Sequence, residues 1–230
     1  MKKHLLIITI VLLSTISSFA QLKFGADIYS RYIWRGINLG GDSPSFQPSL
    51  AYTVGGFTIG AWGAYSFPGA GSTYSENDIY ASYTINTETS GSFSFLYTDY
   101  YIPSLGIPFG YYQKGGAHTL EGGLSYGGPE TFPVSISAFY NIHNDPDNSA
   151  YIQVGYPFTI GDATLSLAAG FVPSKSAYYL TSKGNIINLS ITAAKSIPIT
   201  DKFALPINVS YINNPSLDIS YLAFGVSFTF

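Results

Sequence analysis

The 230-residue chain contains no cysteine. Disulfides, thiolate chemistry and lipid attachment through an N-terminal cysteine are therefore excluded. Charge is scarce too: Asp, Glu, Lys and Arg make up 10% of the residues, where soluble domains carry roughly 25%. Ten basic residues against 13 acidic ones leave a net charge of −3, which excludes nucleic acid as a partner on charge grounds. After residue 20 no apolar run persists, because Ser, Thr, Gly or Asn interrupts every few positions. A membrane helix needs about twenty apolar residues, so none is expected there.

What the chain has instead is 20 Tyr, 16 Phe and 24 Gly. A charge-poor, aromatic-rich chain without membrane helices can face lipid only if its backbone hydrogen bonds close in a barrel. The N-terminus supplies an address. Lys2 and Lys3 precede the apolar stretch Leu5 to Leu13, and Ser17-Ser18-Phe19-Ala20 follows with small residues where a signal peptidase cuts. Residues 1–20 read as a cleaved secretory signal, and residues 21–230 as one barrel domain. Loss of Lys2 and Lys3 takes the net charge from −3 to −5.

The period of the remaining chain is two. At the C-terminus Leu222, Phe224, Val226, Phe228 and Phe230 alternate with Tyr221, Ala223, Gly225, Ser227 and Thr229, as a strand with one greasy face requires. A terminal Phe on such a strand resembles the signal read by the barrel-assembly machinery of the bacterial outer membrane, which makes that machinery, through Phe230, and outer-membrane lipids the expected partners. Taking the more apolar parity in each segment gives twelve strands, an all-β, antiparallel, up-and-down transmembrane barrel. In the first segment this parity puts Leu22, Phe24, Ala26, Ile28, Tyr32 and Trp34 outside, with Lys23, Asp27, Arg31 and Arg35 inside; in the tenth it puts Ile187, Leu189 and Ile191 outside. The predicted inner turns are short and most outer loops long, as in outer-membrane barrels. Outward aromatics gather at two levels, Trp34, Tyr65 and Tyr97 above, Tyr52, Tyr83, Phe93 and Phe132 below, in the manner of interfacial girdles.

The inward charges are the candidate site. Arg31, Asp78 and Glu121 are expected at middle height, Arg35 and Glu76 nearer the outer rim, with Trp62 also facing the lumen. Two readings fit. The arginines pair with Asp78, Glu76 or Glu121 and brace the interior, or the same residues form a charged constriction that selects small solutes. No catalytic residue, cofactor or metal is expected. His118 and His143 sit at strand ends in segments placed far apart around the barrel, short of the three or four ligands a zinc site wants, and no serine has a recognisable nucleophile setting.

The stretch Ser30-Arg-Tyr32-Ile-Trp-Arg35-Gly36, then Asp42-Ser-Pro44 and Gly60-Ala-Trp62-Gly63, resembles a bacterial family of conserved outer-membrane barrels of porin type. The similarity continues through Glu76-Asn-Asp78-Ile-Tyr80-Ala-Ser-Tyr83 and Tyr100-Tyr101-Ile-Pro103. The resemblance implies a barrel of about twelve strands without established catalytic residues. The expectation is a small passive channel for hydrophilic solutes. The alternatives are a non-conducting structural or surface-interaction barrel, and an outer-membrane lipid-modifying enzyme built on His118 or His143.

Overall fold

The structure, a computed structural model, describes residues 21–68, 73–201 and 203–229. The signal segment and Phe230 lie outside the described residues. Twelve antiparallel strands close into one barrel. In chain order they are β1 (Gln21–Tyr29), β4 (Ser45–Val54), β5 (Phe57–Ser66), β6 (Ser75–Asn86), β7 (Ser92–Tyr101), β8 (His118–Gly127), β9 (Ser135–His143), β10 (Ala150–Ile160), β11 (Ala163–Val172), β12 (Asn185–Thr200), β13 (Phe203–Asn214) and β14 (Ile219–Thr229). The two intervening elements, β2 (Ile33–Trp34) and β3 (Ile37–Asn38), form a separate small hairpin. Closure comes from β14 pairing with β1, Ile28 against Val226 and Ala26 against Phe228. No described helix is long and apolar enough to cross a membrane, and closure satisfies the backbone groups that an open sheet edge would expose.

The exterior is apolar as the period of two requires. Leu22, Phe24, Leu50, Ile59, Ile79, Phe95, Leu124, Leu167, Leu222 and Phe224 are all exposed. Inward positions carry small polar groups, and near the short turns these meet as cross-strand hydroxyl pairs: Thr53 with Thr58 at 2.9 Å, Thr84 with Ser94 at 2.8 Å, Ser125 with Ser137 at 2.8 Å. Each pair satisfies two hydroxyls without a charge.

Three expectations about which way side chains point are overturned. The first strand stops at Tyr29, nine residues being enough to cross, and residues 30–44 fold back into the barrel. Tyr32 and Trp34 therefore point inward. Tyr32 is buried and packs on Trp62 with ring centroids 5.5 Å apart, while Trp34 stacks on Tyr179 at 5.6 Å. Third, β12 bulges where Gly170 pairs with Asn188 but Phe171 pairs with Ile186. The extra residue, Ile187, is turned from the lipid face to the interior and is fully buried against Ile37, Tyr151, Val172 and Tyr179. Phe132, placed in a girdle by its parity, precedes β9 instead of lying in it.

The hairpin owes its shape to Arg35 and Gly36, with φ of 48° and 81°. Two successive positive φ values make the turn whose twist matches paired strands. A Cβ on Gly36 would lie 2.0 Å from the Ile187 carbonyl oxygen. Gly36→Ala should therefore destabilise the barrel by about 1–3 kcal/mol, read as a lowered urea midpoint, whereas Gly122→Ala, with nothing within 4 Å of its Cβ position, should leave the midpoint unchanged.

Candidate functional site

The interior of the outer half is built around Arg35. Its Nη1 donates to Glu121 Oε2 at 2.6 Å and its Nη2 to Glu121 Oε1 at 2.9 Å, a two-pronged pair whose side chains are 10% and 2% exposed. Tyr100 donates its hydroxyl to the same Oε1 at 2.9 Å, and Arg35 also donates to the Tyr179 hydroxyl. The guanidinium carbon lies 4.1 to 4.7 Å from the ring centres of Phe139, Trp34 and Tyr151. Burial works against its charge, and the Glu121 carboxylate and the Tyr179 hydroxyl compensate that cost directly. All the donors of a buried guanidinium demand acceptors or ring faces, and here both are present.

A second outer loop completes the filling. Tyr178 and Tyr179, carried on residues 173–184, enter the barrel and meet Trp34, Tyr178 edge-on at 5.9 Å. A backbone bridge between Ser176 and Thr181 pins this loop, and Asn214 donates to the Gly36 carbonyl at 3.1 Å to anchor the hairpin on β13. Beneath the hairpin remains a cavity of about 500 Å³ lined by Asp27, Gln47, Asn188, Thr192, Asn208 and Ser210 among others.

Of the six candidate residues, Trp62, Glu76, Asp78 and Glu121 face the interior as their parity requires. Glu76 and Asp78 are 3% and 7% exposed, and Tyr74 donates to Glu76 at 2.7 Å. Arg35 has one of the three carboxylate partners expected for it but differs from the reading in height, and Arg31 differs in partner. Arg35 is carried inward by the hairpin to Glu121 instead of sitting at the rim, and Arg31 pairs with Asp42 of its own loop at 3.1 Å, leaving Glu76 and Asp78 without an arginine. The rings that enclose Arg35, namely Trp34, Tyr100, Phe139, Tyr151 and Tyr179, were not anticipated. For Trp34 alone one signal was present. Thirteen residues from Leu22 to Trp34 exceed the nine to eleven a tilted strand needs, so the surplus had to go elsewhere.

The histidines are on neighbouring strands, not apart, since Leu120 of β8 pairs with His143 of β9. Asp99 of β7 and His118 of β8 lie on the outward parity, opposite Leu120 and Tyr101 respectively. Residues 102–117 fold down over them on the outer wall. His118 contacts Asp99 Oδ1 through Nδ1 at 2.7 Å and the Phe109 carbonyl through Nε2 at 2.6 Å, and Tyr112 stacks on the imidazole at 3.9 Å. Tyr112 also donates to Asp99, which with burial pushes its hydroxyl up to about 12. The nitrogen that a hydrolase would turn toward a serine is held by a carbonyl. Among the described residues no group of three or more His, Asp or Glu side chains is placed to hold a metal.

A family model matches residues 15–216. The chain belongs to Gcw_chp, a family of bacterial proteins of unknown function. No curated protein matches it. Among solved structures it is similar to the KdgM porin, with a TM-score of 0.56 and 10% identity over 90% of this chain and 98% of that one. It is also similar to the KdgM porin in complex with disordered oligogalacturonate, with a TM-score of 0.54 and 9% identity over 92% and 98% of the two chains. At such identities the likeness is one of fold, a twelve-stranded barrel of outer-membrane type.

The Arg35 cluster makes a distinctive prediction. Glu121→Leu leaves a buried, unpaired guanidinium and should cost about 3–5 kcal/mol, seen as a large fall in the urea midpoint. Adding Arg35→Met to Glu121→Leu should restore much of that loss, because a buried pair replaced as a whole leaves no uncompensated charge.

Proposed function

We propose that this chain is a small passive channel of the bacterial outer membrane, admitting hydrophilic solutes without energy coupling or catalysis. The observation that carries this reading is the division of the lumen. The half next to the short turns is lined by paired hydroxyls, a wettable surface that a merely braced barrel has no reason to keep. The half next to the long loops is narrowed by the Ile33–Asn38 hairpin and by Tyr178 and Tyr179. A polar mouth leading to a constriction made by inward loops is a filter geometry, and twelve strands lie between the eight that side chains fill and the sixteen that leave open water. The fold shared with KdgM porin supports the reading. Residues 21–230 form the mature barrel after removal of the signal, with assembly signalled through Phe230.

The packing of Trp34, Arg35 and Tyr179 favours a second reading, a barrel sealed by its own hairpin. The two part in planar bilayers. The channel reading expects small, discrete conductance steps from the intact protein, and a severalfold larger step when residues 33–38 are replaced by a short Gly-Ser link. Steps only after that replacement would establish the sealed barrel. None in either form would overturn the channel.

A further inference from the structure

Across the barrel from the 500 Å³ cavity, the constriction borders a second, open recess of about 380 Å³ against β5, β6 and β7. Its walls are rings: Tyr32, Trp34, Trp62, Tyr80 and Tyr100. Their arrangement follows from strand register. Asp78 of β6 pairs directly with Trp62 of β5 on one side and with Tyr100 of β7 on the other, so the carboxylate stands between two inward aromatic side chains. Tyr32 of the hairpin segment leans on Trp62 at 5.5 Å, and Trp34 meets Tyr100 edge-on at 5.8 Å. Asp78 is more than nine-tenths buried, and its Oδ1 has no hydrogen-bond partner. Glu76, two residues along the same face, is buried with it.

Among the described ion pairs none reaches this carboxylate pair. Arg35 is committed to Glu121, Arg31 to Asp42, Lys175 to Asp147 and Lys195 to Asp162. Two buried carboxyl groups without a basic partner must either share a proton or take up a cation, and ring faces present negative charge to whatever sits among them. A cation of modest size with an apolar surface satisfies both the carboxylates and the rings. An anion would meet two carboxylates, and a neutral sugar would leave the charge uncompensated.

We infer that the constriction holds a binding site for a small organic cation, such as a quaternary or primary ammonium, with Asp78, backed by Glu76, as its counter-charge and Tyr32, Trp34, Trp62 and Tyr100 as its cage. The inference deepens the channel reading, on which it rests for a path to the site, and it makes the passage selective for cations. It also separates this chain from a barrel whose solute is an acidic saccharide.

Both tryptophans of the chain, Trp34 and Trp62, line the site, so intrinsic fluorescence of the refolded full-length barrel in detergent reports occupancy without any current. The probes are choline, its uncharged isostere 3,3-dimethylbutanol, and galacturonate, at constant ionic strength. Choline should change the emission saturably and bind at least tenfold more tightly than the isostere, with galacturonate silent. Asp78→Asn, checked for folding by its heat-modifiable migration, should weaken choline at least tenfold. Equal binding of choline and the isostere by the unaltered protein, no saturable response to choline, preference for galacturonate, or unchanged choline affinity in a folded Asp78→Asn barrel would each overturn the site. Choline binding that persists in a protein without conductance would overturn the channel and leave the site standing.

Discussion

The pairing of Arg35 with Glu121 is the constraint around which the interior is organised. A guanidinium inside a membrane-type barrel has no bulk water to fall back on, so its position dictates what surrounds it. Glu121 takes two of its donors and Tyr179 another, while Phe139, Trp34 and Tyr151 cover its faces. Delivering Arg35 to that place requires the chain after Tyr29 to turn inward, and the turn requires Gly36 to press against the Ile187 carbonyl. The β12 bulge that exposes this carbonyl also turns the Ile187 side chain inward to cap the cluster. Ion pair, hairpin, bulge and tyrosine loop are thus one interlocked unit inside an otherwise regular cylinder.

The cylinder was legible in the sequence because it rests on a single rule. A lipid-facing wall needs apolar groups at every second residue, and that alternation survives in Leu222 to Phe228 as plainly as in Leu22 to Ile28. The inward orientation of Trp62, Glu76, Asp78 and Glu121 followed from the same rule, since all four lie within strands. The rule failed where its premise failed. Tyr32 and Trp34 continue the alternation of β1 beyond the nine residues that complete the crossing, and nothing in a period of two says that the strand has ended. Ile187 was misplaced by one inserted residue, which reverses parity without altering composition. Tyr178 and Tyr179 belong to a loop and have no period at all. The site is therefore half legible: its acidic wall is written in strand parity, while its aromatic lid is written in loops.

The same distinction separates the two faces of the outer rim. Inside, loops carry aromatic rings toward charge. Outside, residues 102–117 cover Asp99 and His118, two polar groups that fall on the lipid-facing parity and would otherwise stand bare against acyl chains. Phe109 and Tyr112 turn that liability into an apolar outer surface, both rings remaining largely exposed. A polar pair on the wrong face thus has a structural account, and the outer wall keeps its greasy continuity.

The claim on which this account turns is that the segment after β1 lies within the barrel. Its most direct test is quenching of tryptophan fluorescence by brominated acyl chains in reconstituted bilayers, comparing a protein whose sole tryptophan is Trp34, made by Trp62→Phe, with one that carries Phe95→Trp in a background of Trp34→Phe and Trp62→Phe. Residue 95 points outward and should be strongly quenched, while Trp34 should be untouched by the lipid. Equal quenching at both positions would place Trp34 on the outer wall and contradict the account.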